Sequence, residues 1–328
     1  MENKGFYLNA LPPSGEVTLL AALTEKELRP KRSGGVYLHL KLADRTGEID
    51  GKAWDRPEEI ARTIDCNAVV KIRGNIEAYN ERPQLVVSRI RNCRADEYDS
   101  ADFYPASAHD PEEMYRQLLA YIELLSEAGV RDLLRAIVTD DDIAATLKIT
   151  PAALKIHHAW RSGLLEHIVS MCEYAVLLSG KEQRLNRDWL IAGSILHDIG
   201  KIDTLELQGV RFSYTTAGQL LEHIALGLGV LERFASRVPA LAAESKAMLQ
   251  HLVVSHHGDP EKGALRRPMT PEAIVLSILD LLDARLEQAY SVLAQTPEDQ
   301  EFSSYVPSLE RQLFRGTAAS KEENHERV

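Results

Sequence analysis

The feature that most constrains this chain is a change of hydrophobic period between Arg94 and Pro111. From Gly15 to Arg94 apolar and polar residues alternate in short pieces, EVTLLAAL, GVYLHLKLAD, GEIDGKAWD, AVVKIRGNIEAY and PQLVVSRIRNC. A period of two places one face of a strand on a core. Turn clusters separate the pieces: SGG at Ser33 to Gly35, RTG at Arg45 to Gly47 and YNERP at Tyr79 to Pro83. Beyond Pro111 apolar residues recur every three to four positions, from MYRQLLAYIELLSEAG to PEAIVLSILDLLDARLEQAYSVL, which predicts successive amphipathic helices. Asp110 as N-cap, Pro111 at the first helical position and Glu112 with Glu113 in the first turn mark where the helices begin. The two periods require two folding units. The chain therefore reads as multidomain: an N-terminal all-β barrel over residues 1–95, an acidic linker over 96–110, a C-terminal all-α bundle over 111–315 and a disordered polar tail over 316–328.

Five short strands, with a helix expected near Pro57 to Ile64, resemble an oligonucleotide-binding (OB) barrel. Such barrels grip single strands with a basic groove and aromatic platforms. The candidates are Tyr37, Trp54 and Tyr79 for stacking, and Lys41, Lys52, Arg73 and Arg82 for phosphates. The competing reading makes Tyr37 and Trp54 filling of the barrel core. Charge favours contact with a polyanion here: residues 15–95 hold 15 Lys and Arg against 12 Asp and Glu, leaving −14 of the net −11 on the rest of the chain. A chain so acidic overall does not coat nucleic acid over its whole surface. Cys66, Cys93 and Cys172 form no CxxC pair, which excludes a disulfide framework and a thiolate zinc site. No apolar run approaches a membrane span and the first residues lack a secretory layout, so the expectation is a cytoplasmic protein with no membrane partner.

The pentapeptide LLEHI occurs twice, ending in His167-Ile168 and His223-Ile224. On an unbroken helix His167 lies beside Gly163, Leu164, Ser170 and Met171, and His223 beside Gln219, Leu220, Leu226 and Gly227. An inward imidazole must satisfy both ring nitrogens. A metal can take one and a neighbouring acceptor the other. A lone histidine of this kind is ordinarily a hydrogen-bonded core residue. Here four recur, His167, His197, His223 and His256, together with Asp198 directly after His197 and with Asp280 set among Leu276, Ile278, Leu279 and Leu281. An ionised carboxylate in such surroundings costs roughly several kcal/mol unless paired or metal-bound. Nitrogen and oxygen donors without cysteine select Mn, Fe, Co, Ni or Mg.

The motif ILHDIGK at Ile195 to Lys201, with His167 before it and Asp280 after it, resembles the HD superfamily of metal-dependent phosphohydrolases. The resemblance implies His167, His197, Asp198 and Asp280 as one ligand set, and His223, His256 and His257 as the additional ligands of binuclear members, with Asp198 bridging. An OB barrel followed by HHAWRSGLLEHIVSM, ILHDIGK, TTAGQLLEHI, LQHLVVSHHG and ILDLLDA is similar in order and spacing to the YhaM-type 3′→5′ exoribonucleases of bacteria. That likeness implies hydrolysis of single-stranded RNA, with single-stranded DNA as a second substrate, to nucleoside 5′-monophosphates. It also implies one or two divalent ions, manganese foremost, with His197, Asp198 and Lys201 carrying the chemistry. Lys201 is read as a phosphate contact, against its alternative as a cation at a helix end. Lys262, Arg266 and Arg267 lie in a loop of uncertain match that either touches substrate or is solvated. His157 and His158 are placed just outside the metal ligands or against substrate, His251 in packing, and His39 and His109 at the surface. Two other readings stay open at this point: an HD enzyme acting on nucleotides or cyclic dinucleotides with a regulatory barrel, and a noncatalytic nucleic-acid-binding adaptor.

Overall fold

The computed structural model describes residues 4–31, 34–79, 82–154 and 158–316. They divide into two compact units, residues 1–106 with 205–214, and residues 107–204 with 215 onward. In the first, β1 (Gly15–Pro30), β2 (Val36–Asp44), β3 (Gly47–Ala53), β4 (Val69–Tyr79) and β5 (Arg82–Asn92) close into a barrel in the order β1-β2-β3-β5-β4. All ladders are antiparallel except the short β3–β5 pairing. Helix α1 (Pro57–Thr63) lies between β3 and β4, where the sequence predicts it. Alternation supplies the core: Val17, Leu19, Ala21 and Leu23 of β1 meet Leu38, Leu40, Leu42, Ile72, Ile76 and Leu85 inside. Opposite Arg73 and Gly74 of β4 the register shifts by one residue of β5, Ser88, and a Cβ at Gly74 would lie 2.3 Å from the Val86 carbonyl oxygen. Only glycine lets β5 approach so closely.

The other face of β1 is buried as well, which explains its nearly continuous apolar run. Leu20 and Ala22 pack with Val69, Phe103 and Val210. Phe103 belongs to the acidic stretch expected as a linker. That stretch carries two short 3-10 turns, Ala95–Glu97 and Ser100–Asp102, and Phe103, with Tyr98 packed edge-on against it, holds it to the barrel. Val210 comes from a hairpin, β6 (Leu205–Gln208) and β7 (Arg211–Tyr214), which belongs to the barrel's unit although it falls within the segment expected to be helical throughout. Tyr104 packs on Phe212 of this hairpin, with ring centroids 5.3 Å apart.

The second unit contains α2 (Pro111–Glu123), α3 (Ala128–Val138), α4 (Asp141–Leu147), α5 (Gly163–Lys181), α6 (Arg187–Leu196), α7 (Lys201–Thr204), α8 (Thr216–Ala235), α9 (Ala243–Ser255) and α10 (Pro271–Gln295). Asp110 caps α2 through the amides of Glu112 and Glu113, as its sequence predicts. Asn186, Thr215 and Thr270 cap α6, α8 and α10 in the same way. One core unites the helices, with Ile168, Met171, Leu190, Ile195, Leu252 and Leu276 buried in it. Among the described residues no helix is long and apolar enough to cross a membrane. Residues 317–328, expected to be disordered, lie outside those described.

The N-terminal segment is fastened to the barrel by a buried ion pair. Lys4 Nζ lies 2.8 Å from Asp44 Oδ2 and donates to the Leu20 carbonyl, with the Lys4 side chain 7% exposed and that of Asp44 fully covered. Burial raises the pKa of Asp44, but hydrogen bonds from Lys4, Thr46 and the Leu8 amide outweigh it and hold the value below the ordinary carboxylate range. The sign follows: a depressed carboxylate contributes stability above its unfolded value and loses it as pH falls. Asp44→Ala should cost about 3 kcal/mol, because it leaves a buried ammonium unpaired. Chemical unfolding should show that loss at pH 7 and a smaller one as the pH falls through the depressed folded value and the parent carboxylate is itself protonated.

Candidate metal centre

Five of the seven expected ligands come from element ends or from a place where the helix is interrupted. His167 sits within α5 and Asp280 within α10, whereas His197 is the C-cap of α6 and Asp198 follows it. His256 is the C-cap of α9, with His257 next. A helix C-terminus has carbonyls without intrahelical partners, and both capping histidines use one: His197 Nδ1–H donates to the Ser194 carbonyl at 2.9 Å, and His256 Nδ1–H to the Val253 carbonyl at 2.7 Å. Each bond selects the tautomer that leaves Nε2 bare and facing inward.

His223 is presented differently. The helix expected to run through LLEHI is broken at Glu222, which adopts φ 61° and ψ 165°. Gln219 and Leu220 are therefore not its neighbours on one face, and Leu220 and Leu221 are 76% and 56% exposed. In the first copy Leu164 and Leu165 are fully buried. The pentapeptides share letters but not structure. A left-handed glutamate is strained, and here the strain turns the His223 ring toward Asp198. The turn after the His-Asp pair is packed so closely on α8 that a Cβ at Gly200 would stand 2.0 Å from the His223 carbonyl oxygen.

The expected ligands converge in two groups that share Asp198. In one, His167 Nε2 lies 3.1 Å from His197 Nε2, 3.3 Å from Asp280 Oδ1 and 3.8 Å from Asp198 Oδ2. In the other, His223 Nε2 lies 3.4 Å from Asp198 Oδ1, 3.4 Å from His256 Nε2 and 3.2 Å from His257 Nε2. Asp198 Oδ1 is buried with no hydrogen-bond partner, while Oδ2 receives the Lys201 ammonium. Burial pushes the His223 imidazole down to about 4 and lowers those of His256 and His257, so this second group is neutral. Burial also opposes charge on His167, but its hydrogen bonds to Asp280 and Asp283 prevail and hold it raised, at about 9. Burial disfavours the Asp198 anion too, yet Lys201 and the surrounding imidazoles hold that carboxyl well below its ordinary range. An orphaned carboxylate oxygen and inward-facing imidazole nitrogens form a donor set that fits divalent cations.

The structure adds a residue that the sequence reading passed over. Asp283 Oδ2 accepts from His167 Nδ1–H at 2.6 Å and from His158 Nε2–H at 2.8 Å, and Asp283 Oδ1 accepts from Ser170 Oγ at 2.5 Å. It lies one helical turn beyond Asp280, on the same face of α10, and that spacing was the available signal. His158 thus sits just outside the ligands, as one of its expected placements had it. His157 lies outside the described residues. His251 accepts from the Met269 amide and serves packing. His39, expected at the surface, is only 6% exposed and lies 3.2 Å from Asp50; its strand is paired on both sides, with Glu27 of β1 and Lys52 of β3 opposite it. A cleft of about 410 Å³ opens on the ligands, bordered by Lys201, Lys262, Ile278 and Leu281.

On the barrel, Tyr37 and Trp54 stack with centroids 4.7 Å apart and planes at 29°, and Lys52 lies 5.9 Å from the Trp54 ring centre. Trp54 is 43% exposed, so it does not fill the core. Lys31 also approaches the Trp54 ring. Lys41 pairs with Glu25 and Arg73 with Glu16. Tyr79 and Arg82 close the β4–β5 hairpin, and their side chains lie outside those described.

Residues 164–285 match the HD domain family and residues 17–92 match the OB-fold nucleic acid binding domain. Over 305 residues the chain is 33% identical to the 3′-5′ exoribonuclease YhaM of Listeria monocytogenes serotype 4b, covering 92% of this chain and 95% of that protein. The chain belongs to the YhaM family. The protein of the same name from a Geobacillus species is 34% identical over 284 residues, 86% of each chain. The HD domain makes the helical unit of this YhaM relative a divalent-metal-binding module.

Asp283 orients His167 without belonging to the converging set. Asp283→Ala should therefore weaken manganese binding by about 10–100-fold, with Asp283→Asn restoring part of the loss because one acceptor oxygen remains. Calorimetric titration of chelator-treated protein checks this; identical affinities in parent and both variants would remove the positioning role.

Proposed function

We propose that this protein is a metal-dependent 3′→5′ exoribonuclease that shortens single-stranded RNA, and single-stranded DNA as a second substrate, to nucleoside 5′-monophosphates. The observation that carries the reading is the Asp198 carboxylate set between two groups of imidazoles, one oxygen toward each. Membership of a family whose relatives bear the name 3′-5′ exoribonuclease supports the direction and the substrate.

In this reading His167, His197, Asp198 and Asp280 hold one divalent ion and His223, His256, His257 and Asp198 a second, with manganese as the proposed metal. Such ions lower the pKa of a water at the site and offset charge on phosphoryl oxygens. The protein's own groups do the rest. Lys201, beside Asp198 and at the edge of the cleft, supplies a cation for a non-bridging oxygen. Lys262 borders the same cleft and serves an incoming phosphate. Ser194, Val253 and Asp283 fix the rings that face the scissile bond, so no reorganisation is needed as charge develops. On the barrel, the exposed Tyr37–Trp54 stack offers a face that every base can use, and Lys31 and Lys52 beside it suit the adjoining backbone.

His197→Ala and Asp198→Ala should each reduce turnover by at least about 10²–10³-fold. Parent enzyme with manganese should convert 5′-labelled RNA into a ladder of shortening products; turnover confined to mononucleotides, or release of the 5′ label as a mononucleotide from strands not yet shortened, would overturn the exonuclease reading. Trp54→Ala should weaken binding of single-stranded RNA in chelator by about 5–100-fold, the worth of about one stacked base. Fluorescence anisotropy measures it.

A further inference from the structure

The barrel has a second charged surface that the aromatic platform does not use. A groove of about 630 Å³ runs over β4, β5 and α1, and its lining includes Arg56, Lys71, Arg73, Arg89 and Arg91 against a single carboxylate, Glu59. In the β4–β5 ladder Lys71 stands opposite Arg91, and Arg73 opposite Arg89. Like charges directly opposite one another in a sheet repel, so these residues oppose the stability of the ladder that displays them. Arg56, at the N-cap of α1, is held in the left-handed region at φ 43°. Three ion pairs offset part of the charge: Arg73 with Glu16, Arg56 with Glu59, and Arg91 with Glu97, whose side chain is largely covered. The exposed pair of Arg56 with Glu59, made through one guanidinium nitrogen, contributes little and can exchange one anion for another, whereas the other two are bidentate. The groove starts near the platform, since Arg56 in its lining follows Trp54 by two residues, and continues over β4 and β5.

We propose that this groove is a second polynucleotide-binding surface, a phosphate track that holds the sugar-phosphate backbone of a single strand beyond the part stacked on the platform. The inference rests on the reading of the protein as a single-strand nuclease. The groove's lining contains no aromatic side chain, which suits backbone rather than bases. It stands on the one part of an acidic chain whose local charge is positive. An acidic protein segment would need the same cations but has no use for a base-stacking platform on the same small barrel.

The test uses the full chain in chelator, with fluorescein-labelled single-stranded RNA of about 30 nucleotides, which exceeds one OB site, and of about 5 nucleotides, which does not. The variant Lys71→Gln with Arg89→Gln removes charge without reversing it and relieves the cross-strand repulsion, so its thermal midpoint should not fall. It should bind the long RNA several-fold more weakly, and the slope of log affinity against log salt should flatten by about 1.4, the loss of about two phosphate contacts. Its binding of the short RNA should match the parent. Retention of the parent's affinity and salt slope on the long strand, with loss confined to Trp54→Ala, overturns the track and leaves the nuclease reading standing. Failure of the parent to bind either oligomer overturns both.

Discussion

The structure of the helical unit depends on how one buried carboxylate is accommodated. Asp198 has one oxygen against Lys201 and the other without a hydrogen-bond partner, facing His223 and His256. Removing such a group from water costs roughly several kcal/mol, and the fold bears that cost because six other donors are aimed at the same place. Their aim is set by groups outside the cluster. The carbonyls of Ser194 and Val253 and the carboxylate of Asp283 each take an Nδ1–H and leave Nε2 turned inward. Two of these acceptors are orphan carbonyls that any helix end provides, so the placement of His197 and His256 at C-caps solves the cap and the tautomer together.

This arrangement also explains the strained and the glycine positions nearby. The ring of His223 reaches Asp198 because α8 breaks at Glu222, and the backbone of α8 comes close enough because residue 200 has no side chain. Strain at Glu222 and the missing Cβ at Gly200 belong to one close approach. Local rules of helix formation are violated where the ligands must meet, and followed at the caps of α2, α6 and α10, where nothing else competes.

Much of the fold was legible in the sequence, for identifiable reasons. The five barrel strands and α1 follow from alternation and turn residues; the histidines and acids on apolar faces marked a candidate site, and the resemblance to the HD superfamily supplied its ligand set. What escaped was governed by tertiary packing. The hairpin at residues 205–214 does alternate, with Leu205, Leu207, Val210 and Phe212 about the turn at Gly209, but four-residue strands are too short to stand out between long helices. Phe103 reads as a chance apolar residue in an acidic stretch until Leu20 and Val69 are known to be uncovered beside it. Asp283 was passed over, since its role depends on His158 and His167, more than a hundred residues earlier. The break at Glu222 has no local signature at all, because LLEHI is a good helical sequence in both of its copies.

The electrostatics of the chain pose one problem in two places. A single strand of nucleic acid must approach a protein whose residues outside 15–95 sum to −14, and a field of that sign slows a polyanion at long range. The barrel meets this with arginines and lysines displayed at some expense to its own ladder, where Lys71 faces Arg91 and Arg73 faces Arg89. The metal centre cannot use that solution, because cationic side chains packed at such density would repel one another in a low dielectric. It concentrates carboxylates with the neutral imidazoles of His223, His256 and His257, a set that accepts exogenous divalent charge and becomes attractive to phosphate only when loaded. Fixed cations therefore suit the surface that must hold any strand, and exchangeable cations the cleft where one bond is cut.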